Sequence, residues 1–234
     1  MEERSQEDIV DFDASFYEIR RIVCNPAADE GLRHKCLDVF FHKTGIEPTE
    51  LGGDWNEVTT DNSYLDTPKW AVRDDNQLSS VLARVARIPI VYLRGLAAGN
   101  RNTPVDDVIA LAGHPDPWVR YHTLDRIDLG AMLAELLADD GELQAKTFTR
   151  NANVTGTALE RIRRRTKDHL GLIAIARHGN TLPETHQILA RSELPGVRKA
   201  VAETIRDRHI LEELAQDTNP RVKTAARKSL RSMS

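Results

Sequence analysis

Aromatic residues are scarce. Phenylalanine, tryptophan and tyrosine together make up 5% of the 234 residues, and none lies beyond Phe148. The lack of these residues in the C-terminal third argues against base stacking, the usual grip on single-stranded nucleic acid. Cysteine is nearly absent too: Cys24 and Cys36 cannot form a disulfide framework, and a reducing cytosol is the expected setting. No apolar run approaches the length of a membrane span, so no membrane partner is expected. The first residues, "MEERSQEDIVDFD", lack the basic start and apolar centre of a signal peptide. There is no glycine-rich phosphate loop, no serine nucleophile elbow and no carboxylate–histidine motif with useful spacing. The chain therefore reads as non-enzymatic, with no catalytic residue, cofactor or metal assigned.

What is present is an ordinary soluble composition, 40% hydrophobic and 29% charged, in a chain long enough to bury a core. The net charge of −4 conceals an asymmetry. Residues 1–150 hold 16 Lys+Arg and 27 Asp+Glu, a balance of −11, whereas residues 151–234 hold 16 and 9, a balance of +7. Such a division marks a surface for nucleic acid or an acidic partner, or electrostatic pairing between the two ends or between molecules.

The chain repeats itself. "AAGNRNTPVDDVIAL", "FTRNANVTGTALERI" and "AIARHGNTLPETHQIL" each place an asparagine (Asn102, Asn153, Asn180) just before a helix-like run, with Asp128 at the intervening position. A second element recurs through the anchors Leu93, Val119, Gln144, Gly171, Val197 and Val222, a period of about 26. Eight residues before the anchors stand Leu111, Leu136, Arg163, Leu189 and Leu214, with Ile162 beside the polar exception. Thr103 before Asp106, and Thr181 before Glu184, resemble capping boxes at the first helix of a unit. Asp116-Pro117, Leu194-Pro195 and Asn219-Pro220 start the second, where proline loses no hydrogen bond. Neither short helix can bury its apolar face alone, but stacked neighbours can.

On "VRKAVAE", "AGNRNTP" and "GHPDPWVR", residues 85–232 resemble the leucine-rich repeat variant family. That resemblance implies an all-α fold, an α-solenoid or superhelix of two-helix repeats related to HEAT and armadillo arrays. Some members of that family carry an iron–sulfur cluster in a cysteine-rich N-terminal segment; two cysteines cannot supply four thiolates, and the cluster is not carried over. "ASFYEIRRIV" and "EGLRHKCLDVFFHKTG" read as two helices of an N-terminal helical cap, residues 1–45, with Leu32, Cys36, Val39 and Phe40 on one apolar face. Residues 46–70 form an irregular loop or linker in which Trp55, Tyr64 and Trp70 are candidate pins, and residues 71–234 are the repeat array.

Four groups of residues are candidates for chemistry. His178 and His186, eight apart, lack the spacing of paired ligands on one helix face, and His178 holds the slot of Asn100 and Asn151. Cys24, His34, Cys36 and His42 gather soft ligands without the spacing of a zinc module; buried thiols in a helical cap are the alternative. Trp118, Tyr121 and Asp125 match weakly a surface of HEAT-like alkylpurine DNA glycosylases, with an aromatic closing a repeat interface as the alternative. The strongest feature is basic: Arg161, Arg163, Arg164, Arg165 and Lys167, with Arg120, Arg198, Lys199 and Lys223 near the anchors. If the position after each anchor faces outward, it forms a ladder of cations able to follow phosphates; otherwise these residues form ion pairs. The expected role is a scaffold whose exposed solenoid surface binds a macromolecular partner, a protein first and nucleic acid as the alternative.

Overall fold

The computed structural model describes residues 15–52, apart from Cys24 and Pro26, and residues 76–233. Fourteen α-helices and no strand occur among the described residues, so the all-α expectation holds. Trp55, Tyr64 and Trp70, and most of the expected loop, lie outside them. No described helix is long and apolar enough to cross a membrane. The chain divides into two compact units, residues 1–126 and 127–234.

The first unit holds α1 (Phe16–Val23), α2 (Glu30–Thr44), α3 (Ser79–Ala86), α4 (Val91–Gly99), α5 (Val105–Ala112) and α6 (Pro117–Thr123). The two cap helices form where the sequence places them. Asp29 accepts a hydrogen bond from the Leu32 amide to start α2, and Gly45 ends it at φ 64°, a left-handed conformation that costs glycine least. Leu32, Cys36, Val39 and Phe40 are all buried, as their shared face requires. They join Ile19, Leu82, Leu93, Leu111 and Val119 in one apolar core. Full burial of each such side chain stabilises by about 1.5–3 kcal/mol. Thr49, at the described edge of the irregular segment, is fixed by its amide to the Arg87 carbonyl.

The second unit opens with a 3-10 turn, Ile127–Leu129, followed by α7 (Gly130–Leu137), α8 (Ala145–Phe148), α9 (Gly156–Arg165) and α10 (His169–Arg177). It continues with α11 (Pro183–Ala190), α12 (Pro195–Thr204), α13 (Arg208–Leu214) and α14 (Pro220–Arg231). The even-numbered helices touch in succession, α8 on α10, α10 on α12 and α12 on α14; α7 touches α9, and α11 touches α13. Side-chain caps start many of them: Asp168 for α10, Asp207 for α13 and Asn219 for α14. Pro117, Pro195 and Pro220 stand in the first turn as expected.

The repeat register needs two corrections. Gln144 is exposed and only precedes α8; the buried anchor is Ala145. A methyl added at Gly171 would lie 2.8 Å from the Ala145 Cβ, so these two small residues set how closely α8 and α10 approach. Likewise Leu136 is 54% exposed, whereas Leu137 is 4% exposed and fills the core beside Leu133. Ile162 is buried in place of Arg163, as its position suggested. The capping boxes do not form. The Thr181 hydroxyl donates backwards to the Ile175 carbonyl at 2.5 Å, and Thr103 donates to Ala97 at 2.6 Å. Helices α11 and α5 begin after Leu182 and Pro104 without a side-chain cap. Both threonines thus close the end of the preceding helix.

Candidate binding face

The turn residues of "IARHGNTLPETHQIL" are structural. The His178 Nδ1 accepts from the Asn180 amide at 3.2 Å, as the Asn100 oxygen does from Asn102 at 2.9 Å and the Asn151 oxygen from Asn153 at 3.0 Å. The other His178 nitrogen, Nε2, donates to the Asn151 carbonyl at 3.0 Å, 27 residues earlier. His186 donates to Ala176 at 2.9 Å, and both rings are buried. The asparagines also reach back about one repeat: Asn102 to the Gln77 carbonyl, Asn153 to Ile127, and Asn180 to Val154 at 2.8 Å. These bonds tie each turn to carbonyls of the turn 25 to 27 residues before it.

The basic run 161–167 is largely neutralised. Glu160 accepts from Arg163 at 2.7 and 2.8 Å, from Arg164 at 3.0 Å and from the Thr185 hydroxyl at 2.8 Å. The Arg163 hydrogen bond, aided by Thr185 and Arg164, overcomes burial and brings the Glu160 carboxyl down to about 2. Arg161 bridges Asp139 and Glu135 and is held above its ordinary value by Asp139 first. Arg165 donates to the Ala138 and Leu143 carbonyls, both at 2.8 Å, and lies over the Phe148 ring; burial lowers its pKa. Lys167 is exposed and has no ion pair among the described residues.

The expected ladder of outward cations after each anchor is also corrected. Arg120 is only 9% exposed, and its guanidinium donates to the His114 and Pro115 carbonyls at 2.6 Å. Arg198 repeats the arrangement on Ser192 and Glu193, at 2.7 and 3.2 Å, and adds an ion pair with Asp217 at 2.7 Å. The Asp217 hydrogen bond raises the Arg198 pKa; that from Arg198 lowers Asp217, with Lys223 adding attraction. These arginines fasten the turn between the two helices of a unit.

A different set of cations comes together on the exposed face of α8, α10, α12 and α14. Two cavities open there. One, of about 760 Å³, is lined by Thr149, Arg150, Leu170, Ile173 and Arg177 among others. The second, of about 520 Å³, lies between Lys199 and Glu203 of α12 and Arg221, Thr224 and Lys228 of α14. Of the charged residues lining the two, five are cations and one, Glu203, is an anion. Glu203 pairs with Arg177 at 3.0 Å and Lys199 at 3.1 Å. Burial works to raise its pKa, but the hydrogen bonds from Lys199 and Arg177 outweigh it and leave the carboxyl below its usual range. Arg177, Lys199 and Glu203 keep side-chain exposures of 56, 41 and 37%, so the group faces solvent. Only Lys199 of this set was singled out in the sequence. The signal for the rest is periodic: Arg150, Arg177, Glu203 and Lys228 recur at intervals of about one repeat.

In the first unit, Trp118 and Tyr121 do gather beside Asp125. Trp118 stacks on Tyr92, with ring centres 5.5 Å apart, and covers Gly95, where a Cβ would lie 2.0 Å from the indole. His122 packs against Trp118 and Tyr121 and hydrogen-bonds to Asp125 at 2.9 Å. The indole thereby closes an interface between α4 and α6. Cys36 is buried, and desolvation pushes its thiol up to about 11. His34, two residues earlier, contacts Ser80 and Arg84, and Cys24 lies outside the described residues. No group of three or more potential metal-binding His, Cys, Asp or Glu side chains occurs among the described residues. No family model, no curated protein and no solved structure matches this chain.

Proposed function

We propose that this chain is a non-enzymatic helical-repeat scaffold, similar to leucine-rich repeat variant and HEAT arrays, that binds an acidic macromolecule. The binding surface in this reading is the exposed face of α8, α10, α12 and α14. The observation that carries it is the contrast between two sides of one unit. Around α9 the arginines are matched by Glu135, Asp139 and Glu160. On α10, α12 and α14, the four cations Arg177, Lys199, Arg221 and Lys228 share a cavity-lined face with one carboxylate. Cations left in excess beside open cavities attract an oppositely charged partner and steer its approach. The succession of helix contacts and the side-chain bonds reaching one repeat back support a solenoid-like stack as the rigid frame.

Retention on a sulfated-polysaccharide resin tests this reading. The intact chain is expected to bind at low salt. A variant with Arg177, Lys199, Arg221 and Lys228 changed to Gln is expected to elute well before it. A variant with Arg208, paired on α13, changed to Gln is expected to co-elute with the parent. Co-elution of the fourfold variant with the parent would remove the face from consideration.

A further inference from the structure

We infer that the partner of this face is the phosphate backbone of a nucleic-acid duplex, an inference that rests on reading the face as a binding surface. Three observations point there. First, the cations are distributed along the stack: Arg150 beside α8, Arg177 on α10, Lys199 on α12, Arg221 and Lys228 on α14. Packed helices lie about 8–10 Å apart, so each step along the stack matches roughly three phosphates at about 3.4 Å of axial rise. The four helices span about 25–30 Å by the same spacing, the length of roughly eight base pairs. Second, no phenylalanine, tyrosine or tryptophan lines either cavity, and none exists beyond Phe148. Single strands are held by stacking on such rings, and protein partners are commonly anchored by them, whereas a duplex backbone needs neither. Third, apart from Leu170, Ile173 and Pro220, much of the uncharged lining is small or hydroxyl-bearing: Ala174 permits close approach, and Thr149 and Thr224 offer hydrogen bonds to phosphate oxygens.

Glu203 is the element that makes the inference sharp. It sits between Arg177 and Lys199 and opposes any phosphate that approaches them. Glu203→Gln is therefore expected to strengthen duplex binding several-fold, an effect that a merely structural ion pair would not produce.

Fluorescence anisotropy on the full chain is the test, with three probes: a mixed-sequence duplex of about 20 base pairs, its single strand, and poly-L-glutamate. Arg177, Lys199, Arg221 and Lys228 less one carboxylate leave about three phosphate contacts, so duplex affinity should fall roughly 40-fold between about 50 and 200 mM salt. Arg221→Glu with Lys228→Glu should weaken binding at least about tenfold and flatten the salt dependence by two contacts. Far-UV circular dichroism checks that both variants stay folded. Duplex binding that Glu203→Gln tightens supports the inference even where the double variant misfolds. Duplex binding unchanged or weakened by Glu203→Gln overturns it, as does tighter binding of the single strand. If poly-L-glutamate binds and the duplex does not, the inference fails while the scaffold reading stands. If no anionic probe binds, both fail.

Discussion

Removing the charge from Glu160 tests whether the basic run of α9 serves the fold. The Glu160→Gln side chain retains its volume but can no longer accept the two parallel bonds from Arg163 as an anion. In the folded protein the carboxyl sits at about 2 against an ordinary 4.5. At about 1.36 kcal/mol per pH unit, that difference corresponds to about 3 kcal/mol. Part of it comes through Arg164, whose side chain is 70% exposed and screened by water, so about 2 kcal/mol is the expected loss at neutral pH. The sign follows from the direction of the shift. The folded pKa lies below the unfolded one, so the stabilisation is complete above the unfolded value and disappears as pH falls toward the folded value. Urea unfolding followed by circular dichroism at pH 7 and near pH 2.5 measures both ends of that window. The parent should exceed the variant by about 2 kcal/mol at pH 7, and the difference should largely vanish in acid. A difference that persists unchanged near pH 2.5 would refute the electrostatic argument and leave packing as its source.

Two further substitutions check the repeat itself. Leu137→Ala should cost about 2–5 kcal/mol by leaving a cavity, while Leu136→Ala, at a 54% exposed position, should stay within about 0.5 kcal/mol, both by urea unfolding; equal costs would mean that the register of α7 is misassigned. His178→Asn should retain the bond to the Asn180 amide and lose the one to Asn151, costing about 1 kcal/mol. His178→Ala, which removes both bonds, should cost about twice that, and amide exchange at Asn180 should rise only in the Ala variant; equal effects of the two variants would contradict the shared role of the three turn residues.

Helix positions were readable because their local chemistry is unambiguous. Asp116, Asp168 and Asn219 accept amide bonds at the first turn, and proline follows two of them where its missing N–H does no harm. Register failed where local chemistry admits two answers. Helix α8 has only four residues, too few apolar positions to separate Gln144 from Ala145 as the buried anchor. Thr181 and Glu184 have the spacing of a capping box, but a hydroxyl one residue upstream of the cap can instead donate to the helix behind it. Sequence spacing does not distinguish a threonine that starts a helix from one that ends its predecessor.

The charged positions were harder to read for a geometric reason. On a helix, the residue after a buried anchor lies about 100° to one side; the sixth residue after it lies about 120° to the other. Both flank the apolar face, and both recur with the repeat. Arg120 and Arg198 occupy the first side, which faces the turn and its carbonyls. Arg177, Glu203 and Lys228 occupy the second, which borders the open cavities. The handedness of the turn between the two helices decides which side is open, and that is a property of the packed units. The same holds for the basic run. Its neutralising partners, Glu135 on α7 and Asp139 in the turn after it, stand 26 and 22 residues before Arg161. A density of cations along the chain therefore says little about the surface they make. Arg177, Lys199, Arg221 and Lys228, scattered over 52 positions (177 to 228), form the more exposed and less compensated group.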